Sequence, residues 1–436
     1  MKERVAMSIA GSDSSAGAGI QADLKAFEAT GVYGCTVITA ITAQNTYSLD
    51  EIYNIPNETV KNQIKSNLND FDIKSIKIGM LHTKENALAV SKTIEEINKP
   101  TVLDPVMIAE SGYSLIEEKT VEEIKKNLIK KVDVLTPNKS EAESLSSIEI
   151  KNEEDVHKAG KRILNLGAQN VVITGGNLNG NDFLINKNGI KKYQGKKFDK
   201  KTHGSGCTFS SAIAGYLAKG LTLETAIDKA KKLTEESIKN SHQLGKGNYP
   251  VNSIYTLREQ KERYSALQEL TSSLKELENL DFSPLVPEVG SNFGVAIENP
   301  KTPKDIVAVP GRIVSTSDEF EIVGCPKFGA SSHISRLILA ANSYYNQIKS
   351  CLNIKYSKEI LSACKELKLN IKKFDREKVP KNNTMTYGVE EALSGSDKKP
   401  DLIYDKGGIG KEPMIRVFGS SPIEIIKKIK KLINIL

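Results

Sequence analysis

The sequence predicts an α/β protein made of two domains, and three observations carry that prediction. Short apolar runs alternate with helical patterns through about the first 240 residues, polar glycine-bearing loops follow the apolar runs, and the pattern changes near residue 255. Strand and helix in strict succession imply right-handed βαβ units and a parallel sheet covered by helices on both faces.

Taken in order, strands are expected at 5–10, 33–38, 75–78, 101–103, 132–135 and 171–174, each a short apolar run bounded by turn formers. Helices are expected between them at 20–30, 57–70, 84–98, 117–130 and 152–166. A helix of small residues at 206–219 and another at 222–240 close the first domain. Residues 256–280 read as a charged helix with Leu257, Leu267, Leu270, Leu274 and Leu277 at helical spacing, leading into a second unit. The boundary falls at 255–262, giving domains 1–258 and 259–436.

Composition fits two cores. The chain has 436 residues, 39% hydrophobic and 26% charged, which rules out collagen-like and wholly disordered classes. A net charge of +7 spread over this length favours anionic small molecules and gives no footprint for nucleic acid. Cysteines 35, 207, 325, 351 and 364 are odd in number and never form a CxxC pair, so a disulfide framework and a zinc site are not expected and a reducing cytoplasm is. The first apolar run is interrupted by Gly11 and Asp13, too soon for a signal segment or a membrane span. The basic, amphipathic IEIIKKIKKLINIL at the end reads as a packed final helix with solvated lysines rather than a membrane-surface helix.

In parallel sheets, ligands bind where strands end. The sharpest motif is Gly204-Ser205-Gly206-Cys207-Thr208, which opens the small-residue helix. Small residues at a helix N-terminus let several N–H groups converge, and the macrodipole adds positive potential, so the turn suits a transferring phosphoryl group. Cys207 there is expected to have its thiolate stabilised and to accept the proton of a substrate hydroxyl. The competing reading is a helix start whose glycines serve close packing. Asn138-Lys139-Ser140-Glu141 follows a strand and places an amide and a carboxylate on one turn, suited to Mg²⁺ or its waters, or equally to a capping box. Asp104 at a strand end is a second metal contact or an N-cap. Gly11, Gly17, Gly19, Asp23 and Gln44 match neither GxGxxG nor a P-loop; the Gln44 amide suits a heterocycle edge.

AGSDSSAGAGIQADLKAFEATGVYGCTVITAITAQNT at 10–46, KIGML at 77–81, DPVMIAESG at 104–112, TPNKSEAE at 136–143 and THGSGCT at 202–208 together closely resemble the hydroxymethylpyrimidine/phosphomethylpyrimidine kinases. The resemblance spans about 250 residues. It implies a ribokinase-like N-terminal domain, a parallel sheet flanked by helices. The implied activity is two ATP-dependent, Mg²⁺-assisted phosphorylations of 4-amino-5-hydroxymethyl-2-methylpyrimidine. Carried over by position, Gln44 recognises the aminopyrimidine edge, with Gly11, Asp23 and Met80 near the substrate. Asn138 and Glu141 serve ATP phosphates and Mg²⁺, Gly204 and Gly206 form the anion hole, and Cys207 stands where sugar kinases of this fold carry Asp. One departure is Thr174-Gly175-Gly176, where many members have Lys-Gly-Gly; the nearby KKYQGKKFDKK at 191–201 reads as a solvated hairpin edge rather than a replacement.

In the second domain, NFGVAIENPKTPKDIVAVPGRI from 292, KFGASSHISRLILAA at 327–341, NIKYSKEILSACKEL at 353–367 and DLIYDKGGIGKEPMIRVFG at 401–419 resemble a thiamine-phosphate synthase domain fused to such kinases mainly in archaea. By that resemblance this is a smaller α/β synthase domain that couples the pyrimidine diphosphate to 4-methyl-5-(2-phosphoethyl)thiazole. Arg312 and His333, 21 positions apart, match its essential pair, Arg312 for leaving-group charge and His333 for phosphate contact or protonation. Relatives of the domain also serve as ligand sensors, so a kinase with a thiamine-phosphate-sensing module is the alternative. A pyridoxal-type kinase is a third reading. The expected partners are small-molecule substrates and further copies of the same chain as a homo-oligomer, with no nucleic acid and no membrane.

Overall fold

The apolar run opening the chain forms β1 (Val5–Asp13), whose Ala6, Met7 and Ile9 are wholly buried, as expected of a strand at the centre of a sheet covered on both faces. It pairs in parallel with β2 (Tyr33–Gln44) on one side and β4 (Ile73–Ile78) on the other. β5 (Thr101–Leu103), β6 (Val134–Leu135) and β7 (Asn170–Ile173) extend the parallel series. Three antiparallel strands complete the nine: β3 (Leu49–Asn54) beside β2, then β8 (Asp182–Asn186) and β9 (Gly189–Tyr193) beside β7. β3 and the extension of β2 beyond residue 38 are absent from the sequence expectation. The antiparallel β2–β3 pairing turns on 45–48 and needs no crossover helix, so the alternation gives no sign of it. The structure, a computed structural model, describes residues 3–108, 115–316, 319–376, 384–395 and 398–436.

Helices cover both faces of this sheet. α1 (Gly19–Thr30), α7 (Ser205–Ala218) and α8 (Leu223–Lys239) bury Phe27, Ile213 and Ile227 on one face. α2 (Asn57–Asp70), α3 (Lys84–Glu95), α4 (Glu118–Glu123), α5 (Lys139–Ser146) and α6 (Glu153–Leu164) lie on the other, with Ile64, Ile94 and Ile163 in its core. The helix expected at 117–130 is α4 continued by one π turn and one 3₁₀ turn through Lys131. β10 (Thr202–His203) and β11 (Tyr249–Pro250) form a separate parallel pair leading into α7.

The chain divides into two units, Met1–Leu257 and Arg258–Leu436, with the division inside α9 (Tyr255–Glu278). Leu270, Leu274 and Leu277 of α9 are buried in the second unit's core, whereas Leu257 is 49% exposed and adds nothing to the apolar stripe expected of it. The second sheet runs β16 (Lys327–Phe328), β13 (Ile306–Ala308), β12 (Phe293–Ala296), β17 (Ser350–Lys355), β20 (Met414–Gly419), β19 (Leu402–Asp405), β18 (Ile371–Lys373), antiparallel except for β18 with β19. β14 (Ile313–Ser315) and β15 (Phe320–Ile322) form a small ribbon. α10 (Ser332–Tyr344) and α12 (Thr384–Leu393) cover one face; α9, α11 (Lys358–Glu366) and α13 (Pro422–Ile433) cover the other. α13 is the basic terminal helix, and Ile425, Ile426, Ile429 and Leu432 bury its apolar face in the core, as expected. Among the described residues no helix is long and apolar enough to cross a membrane.

Candidate active sites

One cavity in the first unit opens at the carboxyl ends of the parallel strands. Its wall contains Gly11, Gln44, Met80, Asp104, Asn138, Glu141, Gly204, Gly206 and Cys207, nine of the ten candidates read from this domain. The loop after β1 and the turn before α7 meet backbone to backbone. Gly204 caps α7 with φ 85°, and a Cβ there would stand 1.8 Å from the carbonyl oxygen of Gly17. No other residue fits that left-handed position and that approach together. The first N–H groups of α7 have no intrahelical partner, so this corner presents donors without charged side chains.

Asp23, the tenth candidate, stands one layer behind the wall. Its carboxylate accepts from Lys77 Nζ at 2.8 and 2.9 Å, from Ser8 Oγ at 2.6 Å and from Ser211 Oγ at 2.7 Å, and both Asp23 and Lys77 are fully buried. Four hydrogen bonds from three donors fill the carboxylate's acceptor capacity, so its influence on the cavity passes through Lys77, which does line it. Sequence reasoning missed Lys77, although it opens the quoted KIGML. Burial works against its charge, but Asp23, Cys207 and Asp104 hold its pKa above the usual lysine range, so it is a buried cation.

Cys207 departs from expectation in its resting state. Burial pushes its thiol up to about 12, and the attraction of Lys77 and a hydrogen bond from the Gly19 N–H do not offset this. The helix end alone therefore does not yield the expected thiolate. Asp104 is 5% exposed and accepts from Ser210 Oγ at 3.0 Å; burial raises it to about 6 against the pull of Lys77 and Ser210. Asn138 and Glu141 form the capping box of α5: Asn138 Oδ1 accepts from the Glu141 N–H at 3.0 Å, and Glu141 Oε2 accepts from the Asn138 N–H at 2.8 Å. Both residues also line the cavity, so the capping box does not withdraw them from it.

A second missed residue is His203. Its Nε2 lies 2.8 Å from Asp13 Oδ2 and 3.3 Å from Gln44 Nε2, while Thr42 Oγ1 lies 3.2 Å from Gln44 Oε1. Burial raises the Asp13 pKa, but hydrogen bonds from His203, the Ala18 N–H and Ser15 outweigh it and leave the carboxyl below its usual range. The candidate heterocycle-reading amide thus lies beside a residue 159 positions away. At the departed Thr174-Gly175-Gly176, the Gly175 N–H donates to Asp182 Oδ1 at 2.6 Å, and Lys231 reaches this loop, bound to Gly180 O at 2.6 Å and Asp182 Oδ2 at 2.9 Å. Within 191–201, β9 is the exposed edge strand expected, with Lys191 and Lys192 paired to Glu224 and Glu153. Of the quoted DPVMIAESG, residues 109–112 lie outside the described residues.

The second unit holds a cavity of about 880 Å³ that brings Arg312 and His333 together with Arg336, Arg376 and Lys411. Gly311 and Arg312 have consecutive positive φ values, 71° and 77°. Such a conformation is rare for arginine and here turns β14 back toward Ser291, while the guanidinium donates to the carbonyl of Val289. His333 sits in the first turn of α10 behind the N-cap Ser331, whose Oγ accepts from the Ile334 N–H at 3.4 Å. Burial and then the charges of Arg416, Arg312, Arg336 and Arg376 lower the His333 pKa to about 4. That shift favours the neutral imidazole, suited to phosphate contact; the protonation considered from sequence requires an anion to offset those arginines. Glu412 accepts from the N–H groups of Glu288 and Val289 at 3.1 and 3.2 Å, fixing the end of the glycine loop 407–411.

A three-layered ribokinase-like enzyme domain, followed by a second α/β domain with its own arginine-lined cavity, is the class these features define. Residues 13–252 match the family described as phosphomethylpyrimidine kinase, and residues 269–431 match thiamine-phosphate synthase ThiN. A phosphomethylpyrimidine kinase structure from Clostridium difficile is 40% identical, covering 54% of this chain and all of its own, with TM-score 0.50. The Staphylococcus aureus pyridoxal kinase bound to pyridoxal is 33% identical, covering 59% of this chain and 96% of its own, with TM-score 0.55. The bifunctional thiamine biosynthesis protein ThiDN of Methanocaldococcus jannaschii is 36% identical over 99% of this chain and 100% of its own length. The chain belongs to this family of bifunctional thiamine biosynthesis enzymes, with an ATP-using kinase domain and a thiamine-phosphate synthase domain.

Proposed function

We propose that the first unit phosphorylates 4-amino-5-hydroxymethyl-2-methylpyrimidine twice and that the second joins the diphosphate to 4-methyl-5-(2-phosphoethyl)thiazole. The observation that carries this reading is the coexistence, in one chain, of the Cys207 corner with its nine gathered residues and the Arg312–His333 cavity. In each kinase step the substrate oxygen bonds to the γ-phosphorus as the γ-phosphorus bond to the ADP oxygen breaks; in the first step the hydroxyl proton passes to Cys207 once the thiol's own proton has gone to solvent, and in the second the nucleophile is a phosphate oxygen held at the same corner. The anion hole of α7 takes the charge on the transferring group, and Gln44, steadied by Thr42, holds the aminopyrimidine.

Mg²⁺ supplies charge neutralisation on the ATP phosphates. Among the described residues no group of three or more His, Cys, Asp or Glu could hold a metal, so the fit is to an ion carried by phosphates and water. Asp104 and Glu141 would contact its water shell. Asn138 would meet the phosphates.

In the coupling step the C–O bond at the pyrimidine methylene breaks with its electron pair leaving on pyrophosphate, and the thiazole nitrogen forms the new C–N bond. Arg312 takes the leaving-group charge and His333 contacts phosphate as a neutral donor. A homo-oligomer in the cytoplasm belongs to the same proposal. Exposed Ile41 and Tyr53, a cross-strand pair at the β2–β3 edge, support association, and the ATP requirement supports the compartment.

Purified full-length protein supplied with Mg-ATP, the hydroxymethylpyrimidine and the thiazole phosphate is expected to form thiamine phosphate, read by chromatography. Diphosphate accumulation without thiamine phosphate would favour the sensing alternative. Gly204→Ala is expected to lower the rate of phosphorylation by about 10²-fold or more, because displacing the turn by the order of 1 Å misaligns the hole. Coupling of preformed diphosphate by that variant should be unchanged.

A further inference from the structure

Arg376 belongs to the wall of the second cavity, and its surroundings give it a defined charge state. It pairs through Nε with Asp405 Oδ1 at 2.7 Å, and the other oxygen of that carboxylate pairs with Arg416 Nη1 at 2.7 Å. Asp405 Oδ1 also accepts from the Gly407 N–H at 2.8 Å. Arg416 is wholly buried, with the Phe374 ring 5.3 Å from its guanidinium carbon, and Asp405 is 1% exposed. Two guanidinium groups thus meet one carboxylate. Arg416 is sealed in the core, so Arg376 is the member of the triad that reaches the cavity. Burial lowers the His333 pKa first, and Arg416 and Arg376 are among the charges that lower it further, so the positive field of the triad extends to His333.

We propose that Arg376, held in place by Asp405 against the buried Arg416, is a further substrate-binding residue of the synthase cavity that grips a phosphoryl group of one of the two substrates. Nε serves the carboxylate, and the two terminal nitrogens remain as a fork for phosphate oxygens. Asp405 and Arg416 are positioning residues that set its direction. The inference rests on the synthase reading for the identity of the anion.

Arg376→Gln in the full-length chain is expected to raise KM at least about tenfold for one phosphorylated substrate, consistent with loss of a charge-assisted pair. If that substrate is the diphosphate, the inhibition constant of inorganic pyrophosphate rises in step; if it is the thiazole phosphate, the inhibition constant of inorganic phosphate does. Arg376→Lys keeps a charge without the fork and should raise the same KM several-fold, which also serves if the Gln variant does not fold. Asp405→Asn should raise that KM more than it changes kcat. Lowered melting temperatures with unchanged KM and inhibition constants would mean a purely structural triad and overturn the proposal. Calorimetric titration of pyrophosphate and of phosphate separates the two ideas. Absence of thiamine phosphate with anion binding weakened tenfold in Arg376→Gln sinks only the synthase reading; unchanged binding of both anions sinks this one.

Discussion

Replacing Cys207 with alanine is expected to slow both phosphorylations by about 10² to 10⁴-fold, the range associated with a positioned acid or base, while coupling of preformed pyrimidine diphosphate proceeds at the unaltered rate. The reasoning starts from placement. Cys207 lies in the first turn of α7, in the cavity wall with Asp104 and Lys77, at the corner where the N–H donors of the helix begin. Burial pushes its thiol up to about 12, so the group enters as a thiol and becomes the proton acceptor only once its own proton has left to solvent. The same state makes a second expectation concrete: iodoacetamide should label Cys207 slowly at neutral pH in the free enzyme. Equal kinase rates for Cys207→Ala and the parent would remove Cys207 from the chemistry and leave catalysis to the backbone hole.

Arg312→Ala and His333→Ala should produce the opposite phenotype, with coupling reduced by about 10² to 10³-fold and both phosphorylations intact. Arg312 is held at a positive φ beside Gly311, with its guanidinium tied to the Val289 carbonyl, so the side chain is directed before any ligand arrives. An alanine there removes charge from where pyrophosphate departs. Burial, reinforced by the charges of four arginines, lowers the His333 pKa to about 4, so its removal is expected to cost a hydrogen bond rather than a cation. His333→Gln should therefore retain more activity than His333→Ala. A coupling rate indifferent to Arg312→Ala would leave the leaving-group charge to Arg336, Arg376 or Lys411.

Much of the first site is readable along the chain because its elements are local. Gly204 to Cys207 announce a helix start, and Asn138 to Glu141 a capping box, within four residues each, and strand ends locate the rest. What sequence reasoning missed is long-range. Lys77 meets Asp23 across 54 positions and His203 meets Asp13 across 190, and neither pairing leaves a periodicity or a spacing rule behind. The thiolate expected at Cys207 failed for a related reason: a helix dipole is visible in sequence, whereas the burial that outweighs it is a property of the assembled fold. The second sheet, mainly antiparallel, was foreseen only as α/β, since short strands of mixed burial do not reveal their direction.

The same fold carries a pyridoxal kinase, so architecture alone does not choose between heterocycles. The choice for thiamine chemistry comes from the full-length relative, whose two domains this chain matches end to end, and that pairing also weighs against a mere sensor.

The two proposed anion sites are made of different material. At Gly204 the donors are backbone N–H groups, whereas the second cavity is lined by guanidinium side chains. Systematic alanine scanning would therefore map the enzyme unevenly. It would light up the arginine cavity, but in the proposed phosphoryl hole an exchange leaves the N–H donors themselves in place and registers only where a new Cβ displaces the backbone, as at Gly204. Side-chain exchange can also tune that hole through the ion pair beside it, Lys77 in the wall and Asp23 one layer back.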